Sequence, residues 1–204
     1  MIKNIIFDLG NVLISFRPSE YLDKNNYPES YKSIILSDIF RSKEWLMLDN
    51  GEITTKEAID SISGRSSLKR EEIAHIFNLR TDIFFPIDSN VKLLPGLQKR
   101  GFRLYYLSNF PLDVFDEIKN GYYFFRYFNG GIISSEVKIS KPDNRIYKIL
   151  LENYLLKAEE SLFIDDTEIN VTTAEALGMK GIFTGGSTEI SKEIEEAIRN
   201  SVKE

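Results

Sequence analysis

Four stretches of the chain bring reactive side chains to the end of, or just beyond, a short apolar run. "IIFD" closes on Asp8, "LYYLSN" on Ser108 and Asn109, and "SLFIDD" on Asp165 and Asp166. Lys141 stands in "SKP", a little after "GGII". Three carboxylates gathered in one partly dry site repel one another, so either their pKa values rise or a cation compensates. Carboxylate oxygens without nitrogen or sulfur partners suit Mg²⁺, a hard ion that takes few protein ligands and keeps several waters. A metal held this way leaves room for a phosphate oxygen, and Lys141, Ser108 and Asn109 could hold the others. Phosphoryl transfer asks mostly for such positioning and charge neutralisation. An aspartate can also be the nucleophile, giving an aspartyl-phosphate that water then hydrolyses. Each piece alone is commonplace: acids before a helix suit its dipole, and Lys-Pro pairs arise by chance. The ordered set is far more specific.

Composition removes the competing chemistries. No cysteine and one histidine, His75, occur among the 204 residues. Disulfides, zinc thiolate sites and cysteine nucleophiles are thereby excluded, and a catalytic triad would have to be built on His75 without suitable neighbours. A net charge of −5 argues against non-specific nucleic-acid binding, which needs a basic field. No stretch approaches the length of a membrane-spanning helix, so no membrane partner is expected. The apolar stretch before Asp8 is too short for a signal peptide. The expectation is a cytoplasmic protein, monomer or homodimer.

The reactive residues need a scaffold that brings them together. Five apolar runs read as buried parallel strands, at 5–9, 103–107, 131–133, 161–164 and 181–184. Helical patterns lie between them, in "NVKLLPGLQKRG", "PLDVFDEIKNG", "DNRIYKILLENYLL" and "EINVTTAEALG". The alternation predicts an α/β fold, a Rossmann-like doubly wound parallel sheet. In such a sheet ligands bind beyond the carboxyl ends of the strands, which is where the reactive residues fall. Residues 16–86 break the pattern. No convincing strand shows there, and helices are expected around Tyr21 and at 30–40, 54–63 and 67–79, the third opened by a capping box at Thr54 and Glu57. The expected organisation is a core of residues 1–15 plus 87–204 interrupted by an α-helical cap of residues 16–86. The aromatic segment "GYYFFRYFNGG" reads as packing.

With "FDLGNVL", "LSN", "SKP" and "FIDD" followed by Asn170 in this order, the chain resembles the haloacid dehalogenase (HAD) superfamily over essentially its whole length. "DLGNV", "GEIT" and "SSEVKISKPDNRIY" most resemble a bacterial branch that includes phosphatases acting on alpha-D-glucose 1-phosphate. The phosphatase domain of soluble epoxide hydrolases is a more distant likeness. The resemblance implies Asp8 as nucleophile and Mg²⁺ ligand, with the backbone carbonyl of Gly10 as second ligand. It implies Asp166 as direct ligand and Asp165 as a ligand through water or a supporting acid. Ser108 and Asn109 would bind the transferring phosphate, Lys141 would hold both it and Asp8, and Asn170 would order the loop after the acid pair. The implied partner is a small phosphorylated metabolite.

One position departs from the family's pattern. Most phosphatases of the superfamily carry an aspartate two residues after the nucleophile, as general acid and then base. Here that residue is Gly10. A sugar 1-phosphate would need less acid help, because the hydroxyl released at an anomeric carbon is more acidic than an ordinary alcohol. The alternatives are a metal-free 2-haloacid dehalogenase, which also dispenses with the second acid, and an inactive fold used for ligand binding or regulation. In the cap, Trp45 reads as a helix-core residue, Arg17 as a solvated hinge residue and His75 as a helix-face residue.

Overall fold

The structure, a computed structural model, describes residues 1–201. Its elements are β1 (Asn4–Phe7), β2 (Ile14–Phe16), α1 (Pro18–Lys24), α2 (Glu29–Ile35), α3 (Lys43–Asp49), α4 (Thr55–Ser63), α5 (Arg70–Asn78), β3 (Phe84–Pro86), α6 (Asp88–Val91), α7 (Leu94–Lys99) and β4 (Arg103–Ser108). There follow α8 (Leu112–Gly121), β5 (Gly130–Ile133), α9 (Ser134–Val137), α10 (Asn144–Asn153), β6 (Ser161–Asp165), α11 (Glu168–Ala176), β7 (Lys180–Phe183) and α12 (Ser191–Asn200). Among the described residues, five strands form one sheet in the order β5-β4-β1-β6-β7, with every neighbouring pair parallel. This is the α/β architecture expected from the alternation. No helix among the described residues is long and apolar enough to cross a membrane.

The two-residue period of a strand sorts its side chains onto two covered faces. Ile5, Phe7, Leu104, Tyr106, Leu162 and Ile164 join one apolar cluster with residues of α7, α8 and α12. Ile6, Tyr105, Leu107 and Phe163 join the other, with Ile146, Tyr147 and Leu150 of α10 and Ala174 of α11. Helices on both faces explain why these runs are apolar throughout rather than alternating. The chain steps from β1 outward to β4 and β5, then returns to lay β6 on the other side of β1. The carboxyl ends of β1, β4 and β6 therefore meet where the strand order reverses, the place at which open sheets of this kind bind ligands.

Residues between β2 and β3 form helices with a hydrophobic cluster of their own, built on Leu22, Ile35, Ile39, Trp45, Ile62 and Phe77. The capping box at Thr54 and Glu57 opens α4 as expected. Three expectations need correction here. Residues 14–16 and 84–86 do form strands, and these pair antiparallel. At three residues each they are too short to show a period, and the pairing joins segments far apart in sequence. This two-stranded ribbon also contains residues 16 and 86, the expected boundaries of the insert. A further helix, α3, stands at Lys43–Asp49, where no separate helix was expected; Ser42 caps it by accepting from the Trp45 amide at 3.1 Å. The single helix expected in "NVKLLPGLQKRG" is broken into α6 and α7, with Pro95 in the first turn of α7, where its missing N–H costs nothing. The core range expected to run to 204 ends in residues 202–204, which lie outside the described residues.

The insert touches the sheet domain through the loop after α3. Ser134 Oγ donates to the Asp49 carbonyl, and Ser140 Oγ to Asn50 Oδ1. Gly51 follows at φ +64°, and a Cβ there would press into the Ser135 carbonyl oxygen, inside van der Waals contact. Gly51→Ala therefore meets both a left-handed backbone and an immovable neighbour. It is expected to cost about 1–3 kcal/mol and to unseat the loop, read as a lower Tm and faster proteolysis within residues 40–60.

Candidate active site

Asp8 follows β1 directly, and its amide donates to the Ile164 carbonyl at 2.8 Å, continuing the ladder with β6. The residue is buried at 7% exposure. Ser108, at the end of β4, donates to Asp8 Oδ1 at 2.7 Å, and Lys141 Nζ lies 2.9 Å from the same oxygen. Asp8 Oδ2 has no hydrogen-bond donor among the described residues. Burial pushes the Asp8 carboxyl up to about 6, with the Asp165 charge adding to it and Lys141 and Ser108 opposing.

Lys141 is buried at 6% exposure and bridges Asp8 and Asp165, the latter at 2.6 Å. Burial pulls its ammonium down, but the Asp8 and Asp165 charges outweigh this and its pKa rises. The lysine stays a cation. Its backbone is clamped by Asn109, whose Oδ1 accepts from the Lys141 amide at 2.9 Å and whose Nδ2 donates to the Lys141 carbonyl at 3.0 Å. Lys141 also precedes a cis proline, Pro142. The structure thus brings the "LSN" and "SKP" segments together: Ser108 holds Asp8, and Asn109 holds the backbone of the lysine that holds Asp8.

The two acids of "FIDD" sit in different surroundings. Asp165 is fully buried. Its Oδ1 accepts from the Thr167 amide at 2.8 Å and from Asn170 Nδ2 at 3.0 Å. Its Oδ2 accepts from Lys141 and again from Asn170. Two oxygens offer about four acceptor sites, so these donors fill them. Among the described residues, Asp166 accepts only from Asn11 Nδ2 at 3.1 Å and from the Thr167 hydroxyl at 3.2 Å, and it opens onto the cavity beside Asp8 and Gly10. Asn11 takes φ +52°, a left-handed conformation that asparagine tolerates. It also accepts from the Phe16 amide at 3.1 Å, tying the turn after Asp8 to β2.

Oxygens of Asp8, Asp165 and Asp166 all lie within 4.8 Å of one another. The donor set contains oxygen alone, and two of its three carboxylates keep open acceptor sites. It fits Mg²⁺ with some water retained.

A cavity of about 230 Å³ lies over Asp8. Its aromatic wall is built by both parts of the chain. Phe16 stacks on Trp45 and on Phe84, with ring centroids 5.7 and 5.0 Å apart, and Phe84 meets Phe110 at 4.9 Å. Trp45 is buried in the helical cluster, as expected, and lines this cavity as well. Arg17 stays out of it: the guanidinium is exposed and pairs with Glu20 at 3.0 Å, beside a separate cavity that Tyr21, Thr81 and Phe85 also line. His75 is exposed on α5, beside an outer groove of the helical insert. Asn170, expected to order the loop after the acid pair, is buried and donates to both oxygens of Asp165.

Asp49 is a further acid of this site that no sequence motif marks. This carboxyl comes from the last residue of α3 and lines the cavity over Asp8. Burial, and then the Asp8 charge, push its pKa up to about 7. Its position at a helix end in "WLMLDNGEIT" carried no sign that the helix would lie over the sheet.

The haloacid dehalogenase-like hydrolase family model matches residues 2–178. A sesquiterpene phosphatase, AstK of Aspergillus oryzae, is 28% identical over 196 residues, covering 96% of each chain. HAD family enzyme bt-2542 of Bacteroides thetaiotaomicron, solved in complex with magnesium and inorganic phosphate, is 25% identical. It superposes with a TM-score of 0.72, over 90% of this chain and 94% of that one. A predicted HAD-like family hydrolase from Porphyromonas gingivalis is 26% identical, with a TM-score of 0.77 and 98% of both chains covered.

Proposed function

Because the chain belongs to the haloacid dehalogenase-like hydrolases, we propose that it is a Mg²⁺-dependent phosphatase of a small phosphorylated metabolite, working through an aspartyl-phosphate on Asp8. The observation that carries this reading is a buried carboxylate, Asp8, pinned through one oxygen by Lys141 and Ser108 and lying beside the more open acid Asp166. A relative named as a phosphatase and a similar enzyme solved with magnesium and phosphate support it.

In this reading Asp8, Asp166 and the Gly10 carbonyl would hold the metal. Asp165, with its acceptor sites filled, acts through water or by holding Lys141. Bound Mg²⁺ would supply positive charge to the phosphoryl oxygens and let Asp8 approach them as an anion. Lys141 and Ser108 orient the Asp8 carboxylate, and Lys141 neutralises charge that builds on the transferring group. Asn109 fixes the lysine and lines the phosphate's side of the cavity. Residues 16–86 act as a cap whose aromatic wall, over the core of 1–15 and 87–204, excludes water from the reacting atoms.

The branch resemblance favours a sugar phosphate, with glucose 1-phosphate as its named instance. The wall supports a second reading. Phe16, Trp45, Phe84, Phe110 and Pro111 face the cavity, and such a surface suits the phosphate ester of an apolar alcohol better than a ring of hydroxyls that need partners. The relative's printed name, sesquiterpene phosphatase, is in keeping with it.

Phosphate release from an aryl phosphate is expected with Mg²⁺ and is expected to vanish with EDTA. Mg²⁺ is also expected to raise the Tm, since it binds the folded site and not the unfolded chain. Equal release with and without metal, or chloride release from 2-haloacids in its absence, would sink the phosphatase reading. A panel of sugar 1-phosphates, sugar 6-phosphates and prenyl monophosphates compared by kcat/KM distinguishes the two substrate readings.

A further inference from the structure

We propose that Asp49, carried by the helical insert, is the proton donor and then the proton acceptor of the reaction, supplying from above the carboxyl that Gly10 does not provide. The inference rests on the phosphatase reading of Asp8.

Lack of space does not explain the missing acid at position 10. A Cβ there would meet nothing closer than Asp8 Oδ2, at 3.8 Å. The proton must then come from another group facing the same cavity. Among the described residues, three carboxyls line it: Asp8, Asp49 and Asp166. Asp8 is the nucleophile in this reading, and Asp166 accepts from Asn11 beside it. Lys141 is held as a cation between two carboxylates. The Thr167 hydroxyl is donated to Asp166, and His75 lies on another face of the insert. Asp49 remains.

Its setting suits the task. The backbone is fixed: the Asp49 carbonyl accepts from Ser134 Oγ, and that same oxygen accepts from the Phe110 amide at 2.9 Å. One serine thus anchors the end of α3 to the loop after β4. The carboxyl itself has no hydrogen bond or ion pair among the described residues, in contrast to Asp8, Asp165 and Asp166. A negative charge at a helix C-terminus is disfavoured by the dipole. Together with its half-buried position and the Asp8 charge this favours a carboxyl that keeps its proton near neutral pH, the poise a general acid needs.

The steps balance. Asp8 Oδ attacks phosphorus and the ester P–O bond breaks; its electron pair goes to the leaving oxygen, which takes the Asp49 proton and departs as an alcohol. Water then attacks the phosphorus of the aspartyl-phosphate while the Asp49 carboxylate accepts a proton from it. The bond from phosphorus to Asp8 breaks, phosphate leaves, and both acids return to their starting forms. A leaving alcohol then need not be acidic, which removes the requirement for an anomeric hydroxyl and admits esters of ordinary apolar alcohols.

The test compares wild type with Asp49→Asn on two substrates in Mg²⁺: an alkyl phosphate, and p-nitrophenyl phosphate, whose leaving group needs no proton. The variant is expected to lose ~10²–10⁴-fold in kcat on the alkyl ester. On the aryl ester it is expected to release a stoichiometric burst of nitrophenolate and then turn over slowly. Phosphorylated Asp8 should accumulate and be visible by mass spectrometry after acid quench. Wild-type rates on both substrates overturn the inference, as do equal losses on both without a burst or a trapped phosphoenzyme, which would make Asp49 structural. In either case an active wild type leaves the phosphatase reading standing. A wild type inactive on both esters overturns the two together.

Discussion

Asp8→Asn is expected to abolish Mg²⁺-dependent phosphate release, with a fall of ~10⁴-fold or more as for other lost nucleophiles, and to leave the fold as stable as before or more so. The two halves have one cause. An amide cannot attack phosphorus at a useful rate, so no phosphoenzyme forms. Yet Asp8 is a carboxyl that burial and the neighbouring Asp165 hold at about 6 instead of 3.8. A carboxyl whose pKa is raised by folding favours the folded state least when it is ionised. Between about pH 4 and pH 6 the folded chain binds the extra proton, so this group's contribution to stability falls as pH rises through that window. Above it the full penalty is present. Asparagine carries no charge to bury and still offers a carbonyl oxygen to Ser108 and Lys141. In EDTA, the Tm of Asp8→Asn minus that of wild type is therefore expected to grow from pH 4 to pH 7. The gain should level off at about 1–3 kcal/mol. A variant that keeps measurable turnover would remove Asp8 from the nucleophile's place. One that melts far below wild type at pH 8 would contradict the electrostatic account.

Lys141→Met is expected to destroy both activity and stability. The ammonium lies 2.9 Å from Asp8 and 2.6 Å from Asp165, with 6% of the residue exposed. Methionine fills a similar volume but leaves two buried carboxylates facing each other with no cation between them. Breaking a buried pair from one side typically costs about 3–5 kcal/mol. For a chain of this size that is roughly 6–20 °C in Tm. The deficit should shrink at pH 5, where Asp8 can neutralise itself by taking up a proton, and widen at pH 8. Adding Asp165→Asn should recover part of the lost stability without restoring activity, because it removes the repulsion while leaving the phosphate without its lysine. Differential scanning calorimetry of the two single variants and the double at both pH values tests this. A Lys141→Met protein that melts like wild type at pH 8 would mean that the two acids share a proton without the lysine's help.

Much of the core could be read in advance. Runs such as "NIIF", "RLYYLS" and "SLFID" are apolar at both parities because helices cover both faces of the sheet, and that leaves a visible mark in one dimension. The acids, the serine–asparagine pair and the lysine could be placed together because a parallel sheet delivers every strand's carboxyl end to one side. All but the lysine stand at strand ends, which are visible as the point where apolar residues stop; Lys141 lies beyond β5 and α9 and is held there through its backbone by Asn109. The β2–β3 pairing was not legible, since three-residue strands show no period and their partners are joined only when the insert closes its own core.

The division is clearest at the site itself. The residue types removed cysteine chemistry and left a single histidine, so that carboxylates, lysine, hydroxyls and amides were what the chain could offer, and the residue at position 10 has no side chain to act as an acid. Tertiary structure alone decided that Asp165 has its oxygens filled by Lys141, Thr167 and Asn170 while Asp166 stays open. Two adjacent aspartates look alike in sequence and differ only in which way the strand end turns them. Tertiary structure alone also set Asp49 over Asp8. The placement depends on how α3 docks, through Ser134, Ser140 and the space left by Gly51, on segments about ninety residues away. No periodicity carries a contact of that range, because it is set by the packing of one folded unit on another.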